Sequence, residues 1–230
     1  MCGRKTLTWD IQSIIEELTV DCWLNYDFQP SYNIAPTQLS PVLYGKDNKR
    51  IVDMMQWGLI PQWSTDTSIS AKMINARSET IFEKPSFQNL IHQNRCVIIT
   101  DGYYEWKNSG GHSQPYYIYH KNNALIFMAG LWTTWQQKDV QIQSYTVITT
   151  TPQPEINHIH SRMPLILESE NINHWIQCDT VSSHDAIKLL VPYNKPLSFH
   201  PVSSKVNSIK NNSPNCINPI KNYSTINLFE

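Results

Sequence analysis

A cysteine stands at the second position of the chain, in the opening Met1-Cys2-Gly3-Arg4. The small Cys2 side chain favours removal of Met1 by an aminopeptidase, which would leave a free α-amine and a thiol on one residue. An α-amine has a pKa near ~8 and a cysteine thiol near ~8.5, so both have nucleophilic fractions at neutral pH. An aldehyde could condense with the amine, and the thiol could then close a thiazolidine ring intramolecularly. The alternative is an incidental cysteine near a frayed terminus.

Three other polar residues are candidates for proton transfer and positioning. Glu105 lies between Tyr104 and Trp106, and desolvation by aromatic neighbours raises a carboxyl pKa, as a general acid requires. Glu105 could instead be a strand-end glutamate that pairs with an arginine. His160 could move protons near a nucleophile. Asn75 could orient a sugar oxygen or the terminal amine, or it could be a turn asparagine that bonds its own backbone.

The segment His158-Ile159-His160 raises the question of a metal site. In an extended segment the two histidines would share one face. No third ligand follows at a recognisable spacing, so we expect neither a metal nor another cofactor.

Arginines and aromatic residues are candidates for DNA contacts. Arg4, Arg77 and Arg162 each lie within two residues of Cys2, Asn75 or His160. Each could hold a phosphate with its planar guanidinium, although a surface salt bridge is the usual role of a single arginine. Large aromatic rings could stack on bases or block a duplex end, although most are expected in the core. These are Trp57, Trp63, Phe87, Tyr103 and Trp106.

Composition limits the class of protein. The chain has 230 residues, 40% of them hydrophobic, and a net charge of −1, which argues against a non-specific polyanion binder. The five cysteines are odd in number and form no C-x-x-C pair, which favours a reducing compartment. No apolar leader or stretch of ~18 apolar residues is visible. We therefore expect a cytoplasmic monomer with no membrane association, nucleoid-associated when bound to DNA.

Local patterns predict the elements that position these residues. Asp10 is a plausible N-cap for a helix over 10–18. Residues 41–44 and 51–57 flank a polar turn and predict a hairpin. Further strands are expected at 96–100, 145–150 and 198–202, and residues 116–119 and 126–132 are expected to pair with each other. Short helices are expected at 87–92, 170–175 and 184–190. Many short strands with few helices predict an α+β fold around a β-sheet core, with a flexible tail over 208–230.

The ordered set of motifs resembles the SRAP (SOS response-associated peptidase) family over residues 2–207. The motifs that carry the resemblance are Cys2-Gly3-Arg4, Tyr32-Asn33-Ile34-Ala35-Pro36-Thr37, Trp57-Gly58-Leu59-Ile60-Pro61-Gln62-Trp63, Asn75-Ala76-Arg77-Ser78-Glu79, Arg95-Cys96, Asp101-Gly102-Tyr103-Tyr104-Glu105-Trp106, His160-Ser161-Arg162-Met163-Pro164 and Pro201-Val202-Ser203. The resemblance implies one α+β domain over 1–207 with a twisted, barrel-like β core and a positively charged DNA channel.

The resemblance also implies a function. The protein would recognise an abasic site in single-stranded DNA, including single-strand/duplex junctions, and would cross-link itself to the deoxyribose aldehyde through Cys2. Strand cleavage by β-elimination and self-removal of Met1 are possible accompanying activities. The family's catalytic positions fall here on Cys2, Asn75, Glu105 and His160. Its phosphate-contacting arginines fall on Arg4, Arg77 and Arg162.

Two other classes stay open at this point. Cys2, His160 and Asn75 are also the residue types of a thiol hydrolase, and a terminal cysteine suits an N-terminal-nucleophile amidohydrolase. The chain could also be a non-catalytic single-stranded DNA-binding module in which Cys2 plays no part, although its near-zero net charge disfavours that class.

Overall fold

The computed structural model describes residues 2–220, which are built mainly from β-strands. The strands are β1 Lys5–Leu7, β2 Cys22–Trp23, β3 Ser31–Ile34, β4 Leu39–Lys46, β5 Lys49–Trp57, β6 Asn75–Arg77, β7 Arg95–Thr100, β8 Gly102–Ser109, β9 His112–Tyr119, β10 Ile126–Gln137, β11 Val140–Thr150, β12 Met163–Pro164, β13 Ile166–Leu167 and β14 Ser198–Pro201. The α-helices are α1 Ile11–Leu18, α2 Leu90–Gln93, α3 Pro154–Asn157, α4 Ile172–Ile176 and α5 Ser183–Ala186.

Five strands close into a barrel. β5, β4, β7, β10 and β11 are neighbours in that order, and β11 returns to β5 through a short parallel pairing. The β4–β5 hairpin is confirmed, and it turns at Asp47 and Asn48, whose φ values are 51° and 59°. Positive φ values at both central residues are typical of a type I′ turn, whose twist matches that of the two flanking strands. The α+β fold with a barrel-like core is therefore confirmed.

Helix α1 confirms the capping pattern of the sequence. The Asp10 side chain accepts a hydrogen bond from the backbone N–H of Ser13 at 3.0 Å. Such a cap satisfies an otherwise unpaired N–H and typically contributes about 1 kcal/mol. Ile14 and Leu18 are buried, and the helix ends at Thr19 in the left-handed conformation.

A second sheet holds the first residues of the chain. Its order is β14-β9-β8-β1-β3, so β1 is an inner strand with antiparallel neighbours on both sides. The Lys5 ammonium donates to the backbone carbonyl of Ile99 in β7 at 3.3 Å, which joins this sheet to the barrel.

The pairing expected between 116–119 and 126–132 is wrong, although both segments are strands. β9 pairs with β8 and β14, whereas β10 pairs with β7, β11 and β13. The reason lies in Gly110 and Gly111, whose φ values of 55° and 86° allow a tight turn. That turn folds β9 back onto β8, so β8 takes the edge of β9 at which β10 was expected to pair.

The segment expected to be a flexible tail is described as far as residue 220. Asn33 Nδ2 donates to the carbonyl of Asn211 at 2.7 Å, and Asn212 Oδ1 accepts from the N–H of Tyr32 at 2.7 Å. Cys216 is buried. Residues 208–220 therefore pack against the sheet, and residues 221–230 lie outside the described part. None of the helices in residues 2–220 has the length and apolar composition needed to cross a bilayer.

Candidate active site

Strand register divides the candidate residues between two faces of the second sheet. Lys5 pairs with Tyr103, and the N–H of Tyr104 donates to the carbonyl of Arg4 at 2.9 Å. Because side chains alternate along a strand, Lys5, Tyr103 and Glu105 share one face. Cys2 and Tyr103 belong to the main hydrophobic core, and this face therefore points inward.

Cys2 is held at the entrance to β1. It is fully buried, and its sulfur lies 3.9 Å from the carbonyl oxygen of Arg4. Its own carbonyl accepts a hydrogen bond from Asn75 Nδ2 at 2.9 Å. Burial raises the pKa of the thiol well above its ordinary value, and the charge of Glu105 acts in the same direction. The thiol is therefore protonated at neutral pH.

Asn75 is fixed by the barrel. It opens strand β6, which pairs in parallel with β11 through Asn75 and Val147. Its Nδ2 donates to Cys2, whereas its Oδ1 is buried and has no hydrogen-bond partner among the described residues. Because an unsatisfied buried acceptor is costly, this oxygen is suited to receive a hydroxyl or amine hydrogen from a bound molecule.

Glu105 lies in β8 and is only 1% exposed. Burial raises the pKa of its carboxyl from 4.5 to about 7. A carboxyl with that pKa is present in both protonation states at neutral pH, which suits a group that both donates and accepts protons.

His160 follows the short helix α3. Its Nδ1 lies 3.0 Å from the backbone nitrogen and 3.2 Å from the carbonyl oxygen of Arg162, which fixes the ring orientation. Burial lowers the pKa of the imidazole, so the neutral ring dominates at pH 7. His158 does not share a face with His160, because helix α3 and a turn replace the extended segment; its ring packs on Tyr116 and Phe199. No group of three metal-ligating side chains forms within residues 2–220.

Arg162 and Arg77 flank these residues in different ways. Arg162 donates to both carboxylate oxygens of Glu79, at 2.6 and 2.9 Å, and to the carbonyl of Thr149 at 2.6 Å. Arg77 ends β6 with an exposed side chain that makes no hydrogen bond or ion pair to another described residue. The Arg77 guanidinium is thus available to bind a ligand near Asn75.

Arg4 and Trp106 lie on the opposite face from Glu105. The Arg4 guanidinium donates to Asn33 Oδ1 and to the carbonyl of Val206, both at 2.6 Å, and lies 6.0 Å from the centre of the Trp106 ring. The Trp106 indole donates to Asn207 Oδ1 at 2.9 Å. These two residues hold the short 3₁₀ helix Ser204–Asn207 against the sheet.

Most of the aromatic rings considered for DNA stacking are core residues. Trp57 and Tyr103 are fully buried and Phe87 is 8% exposed, so they cannot present a ring face to a base. Trp63 is 61% exposed and retains that possibility.

Lys5 lies on the inward face of the second sheet, beside Tyr103 and Glu105, and its sequence gives no sign of this burial. Lysine is rarely buried, and nothing in the stretch Lys5-Thr6-Leu7 marks the first residue as an exception. It is fully buried, and burial lowers the pKa of its ammonium from 10.5 to about 7.

Comparison with known proteins adds a family to this geometry. A family model described as SOS response associated peptidase (SRAP) matches residues 1–209. The abasic site processing protein YoqW of Bacillus subtilis (strain 168) is 39% identical over 221 residues, covering 94% of this chain and 99% of YoqW. The abasic site processing protein HMCES of Xenopus tropicalis is 36% identical over 261 residues, covering 94% of this chain and 78% of HMCES.

A solved structure agrees with the family match. A protein from Bacteroides thetaiotaomicron has a crystal structure that superposes with a TM-score of 0.85 and 26% identity, covering 95% of this chain and all of that one. The family match covers Cys2, Asn75, Glu105 and His160. The structure bonds Asn75 to Cys2 and brings the charge of Glu105 to act on the Cys2 thiol, whereas His160 Nδ1 contacts the backbone of Arg162. The chain belongs to the SRAP family.

Proposed function

We propose that this protein senses abasic sites in single-stranded DNA and, once Met1 is removed, cross-links to them through a thiazolidine formed by Cys2. The observation that carries the proposal is the 2.9 Å hydrogen bond from Asn75 Nδ2 to the Cys2 carbonyl. It fixes a residue with amine and thiol chemistry next to an unsatisfied amide oxygen. The names of the relatives YoqW and HMCES, both abasic site processing proteins, support the same substrate.

Glu105 supplies the proton transfers of the first stage. It opens the hemiacetal of the abasic deoxyribose to the aldehyde, and the Cys2 amine adds to the carbonyl carbon. The protonated carboxyl then gives its proton to the carbinolamine hydroxyl, which leaves as water, and an iminium forms. A pKa of about 7 makes both the acid and its conjugate base available at neutral pH.

The second stage closes the ring and restores the starting protonation. The Glu105 carboxylate accepts the thiol proton, and the sulfur lone pair forms the S–C bond. The π electrons of the C=N bond return to nitrogen, which becomes a neutral secondary amine. An iminium that does not close can instead lose the 3′-phosphate by β-elimination, so lyase activity is a side reaction of the same intermediate.

The remaining residues position the substrate. Asn75 Oδ1 accepts a hydrogen bond from the sugar or the amine, and His160 moves protons on the sugar oxygens. Arg77 and Arg162 hold flanking phosphates, Arg77 with an exposed guanidinium that has no partner among the described residues. A thiol hydrolase fits less well, because its nucleophile needs a lowered thiol pKa, whereas burial raises the pKa of Cys2.

The test is a denaturing gel of the protein mixed with an abasic single-stranded oligonucleotide. We expect a covalent adduct that survives heat and detergent, and no adduct with the intact oligonucleotide of the same sequence. Cys2→Ala keeps a terminal amine and should give an adduct only after borohydride trapping, because the imine cannot close. Equal adducts on both DNAs would overturn the proposal.

A matched control tests the terminal amine separately from the thiol. One additional residue before Cys2 converts the amine to an amide while leaving the thiol in place. This variant should keep its circular dichroism spectrum and lose the adduct. If it cross-links as fast as the wild type, the thiol alone is the nucleophile and the thiazolidine mechanism is wrong.

A further inference from the structure

Lys5 is a buried cation for which the proposed chemistry has so far given no role. It is 0% exposed and makes one hydrogen bond, to the Ile99 carbonyl at 3.3 Å. Within residues 2–220 no carboxylate lies within ion-pair distance of its ammonium. Burying a lysine without an ion-pair partner opposes folding, because its charge loses the hydration it has in the unfolded chain.

The position of Lys5 relates it to the reacting residue. Lys5 pairs with Tyr103 across β1 and β8 and shares the inward face with Glu105. Cys2 lies three residues earlier, fully buried in the same core. The two groups interact electrostatically: Lys5 lowers the pKa of the Cys2 thiol, and Cys2 raises the pKa of the Lys5 ammonium. Asp101 also raises the pKa of Lys5, and Glu105 raises the pKa of Cys2. Cys2 in turn raises the pKa of Tyr103 and Tyr145.

We propose that Lys5 is a positioning residue of the cross-linking reaction, whose buried ammonium stabilises the negative charge that the Cys2 sulfur acquires as it closes the ring. The inference rests on the proposed function. Glu105 removes the thiol proton, and Lys5 is the fully buried cation on the inward face of β1 and β8; Lys107, two residues beyond Glu105, is only partly buried. In a low-dielectric interior one such charge changes the stability of a thiolate strongly.

The test compares wild type with Lys5→Met, which has similar length and no charge. Leu7→Met is the control, because Leu7 lies two residues further on the same strand, is fully buried, and accepts a volume-conserving change. The first measurement needs no DNA: the pH–rate profile of Cys2 modification by methyl methanethiosulfonate, followed by mass spectrometry of the amino-terminal peptide. The second is the single-turnover rate of adduct formation on abasic oligonucleotide.

In Lys5→Met we expect Cys2 modification to be several-fold slower at each pH, because the thiolate loses a neighbouring positive charge in a low-dielectric interior. Adduct formation should slow by a similar factor, and Leu7→Met should match the wild type in both assays. Unchanged profiles in Lys5→Met would overturn the inference. If wild type forms no adduct at all, the proposed function fails, but the modification profile still decides the effect of Lys5 on Cys2.

A thermal measurement separates this role from a structural one. The pKa of Lys5 falls from 10.5 to about 7 on folding, so its penalty is complete below about pH 7 and disappears as the pH rises toward 10.5. Lys5→Met should therefore melt at a higher temperature than wild type, with the largest difference below pH 7. A lower melting temperature together with unchanged Cys2 chemistry would make Lys5 a structural residue and overturn the inference.

Discussion

At the scale of single residues, Glu105 combines a cost to stability with a benefit to chemistry. Its pKa is raised from 4.5 to about 7, so the folded state binds the proton more tightly than the unfolded chain does. The native state therefore loses stability as the pH rises from about 4.5 through 7. Burial of this carboxyl therefore lowers the stability of the protein at neutral pH, and its benefit lies in proton transfer.

The prediction for Glu105→Gln has a thermodynamic and a kinetic part. The raised pKa corresponds to about 3 kcal/mol at 1.36 kcal/mol per pH unit. The variant should match the wild type in unfolding free energy near pH 4 and exceed it by up to that amount at pH 8, measured by urea denaturation. Borohydride-trapped adduct should form ~10²–10⁴-fold more slowly. Trapping at the wild-type rate would remove Glu105 from the mechanism.

The sequence indicates the identity of the site residues better than their surroundings. The motifs select Cys2, Asn75 and Glu105, and the aromatic neighbours of Glu105 indicate its raised pKa. The burial of Lys5 could not be predicted, because it depends on β7 packing over β1, a contact between residues 94 positions apart. Long-range packing of this kind leaves no local pattern.

At the scale of elements, strand alternation decides what each arginine can do. Arg4 lies on the outward face of β1, bonded to Asn33 and Val206, whereas Arg77 ends β6 beside Asn75 with its guanidinium exposed. The spacing of Arg4 from Cys2 therefore does not place its guanidinium beside the thiol. A phosphate contact by Arg4 stays a prediction.

Salt dependence distinguishes the two arginines. In Arg77→Ala the plot of log affinity for single-stranded DNA against log salt should flatten by about 0.7, one phosphate contact, with unfolding free energy unchanged within ~0.5 kcal/mol. Arg4→Ala should lose about 1–3 kcal/mol of stability, since it leaves the buried Val206 carbonyl and Asn33 without a charged donor. Fluorescence anisotropy and urea denaturation measure the two effects. An unchanged slope in Arg77→Ala would contradict a phosphate contact there.

Elements whose cause lies in neighbouring residues were predicted correctly. The pairing of β9, for which two strands were possible partners, was not. The Asp10 cap defines α1, and the polar turn defines the β4–β5 hairpin. The short Gly110-Gly111 turn pairs β9 with β8, whereas the pattern of 116–119 alone does not distinguish β8 from β10 as its partner.

At the scale of the whole molecule, the barrel depends on close approach of β7, β10 and β11 at Gly130. A Cβ added to Gly130 would lie 2.2 Å from Ile98 Cδ1 and 2.6 Å from the Thr146 carbonyl oxygen. The isoleucine can move, but the backbone oxygen cannot, because Thr146 pairs with Leu131 in the β10–β11 ladder.

Gly130→Ala should therefore destabilise the protein by about 1–3 kcal/mol through overpacking, measured by urea denaturation. Gly110→Asn is the matched control, because no atom lies within 4 Å of its added Cβ and its φ of 55° suits asparagine. The control should change stability by less than ~0.5 kcal/mol. Equal stability of the two variants would show that the barrel can expand at this point.

The inner position of β1 has a mechanical consequence. A DNA strand joined to Cys2 would pull on the molecule along the axis of β1, which has antiparallel neighbours on both sides. Tension along a strand loads its flanking hydrogen bonds in shear, so they must break together, whereas an edge strand pulled sideways can peel away bond by bond. A motor that moves along the DNA would therefore have to extract an inner strand before the attachment yielded. The proposed cross-link would therefore join DNA to the sheet through an inner strand and not through an edge.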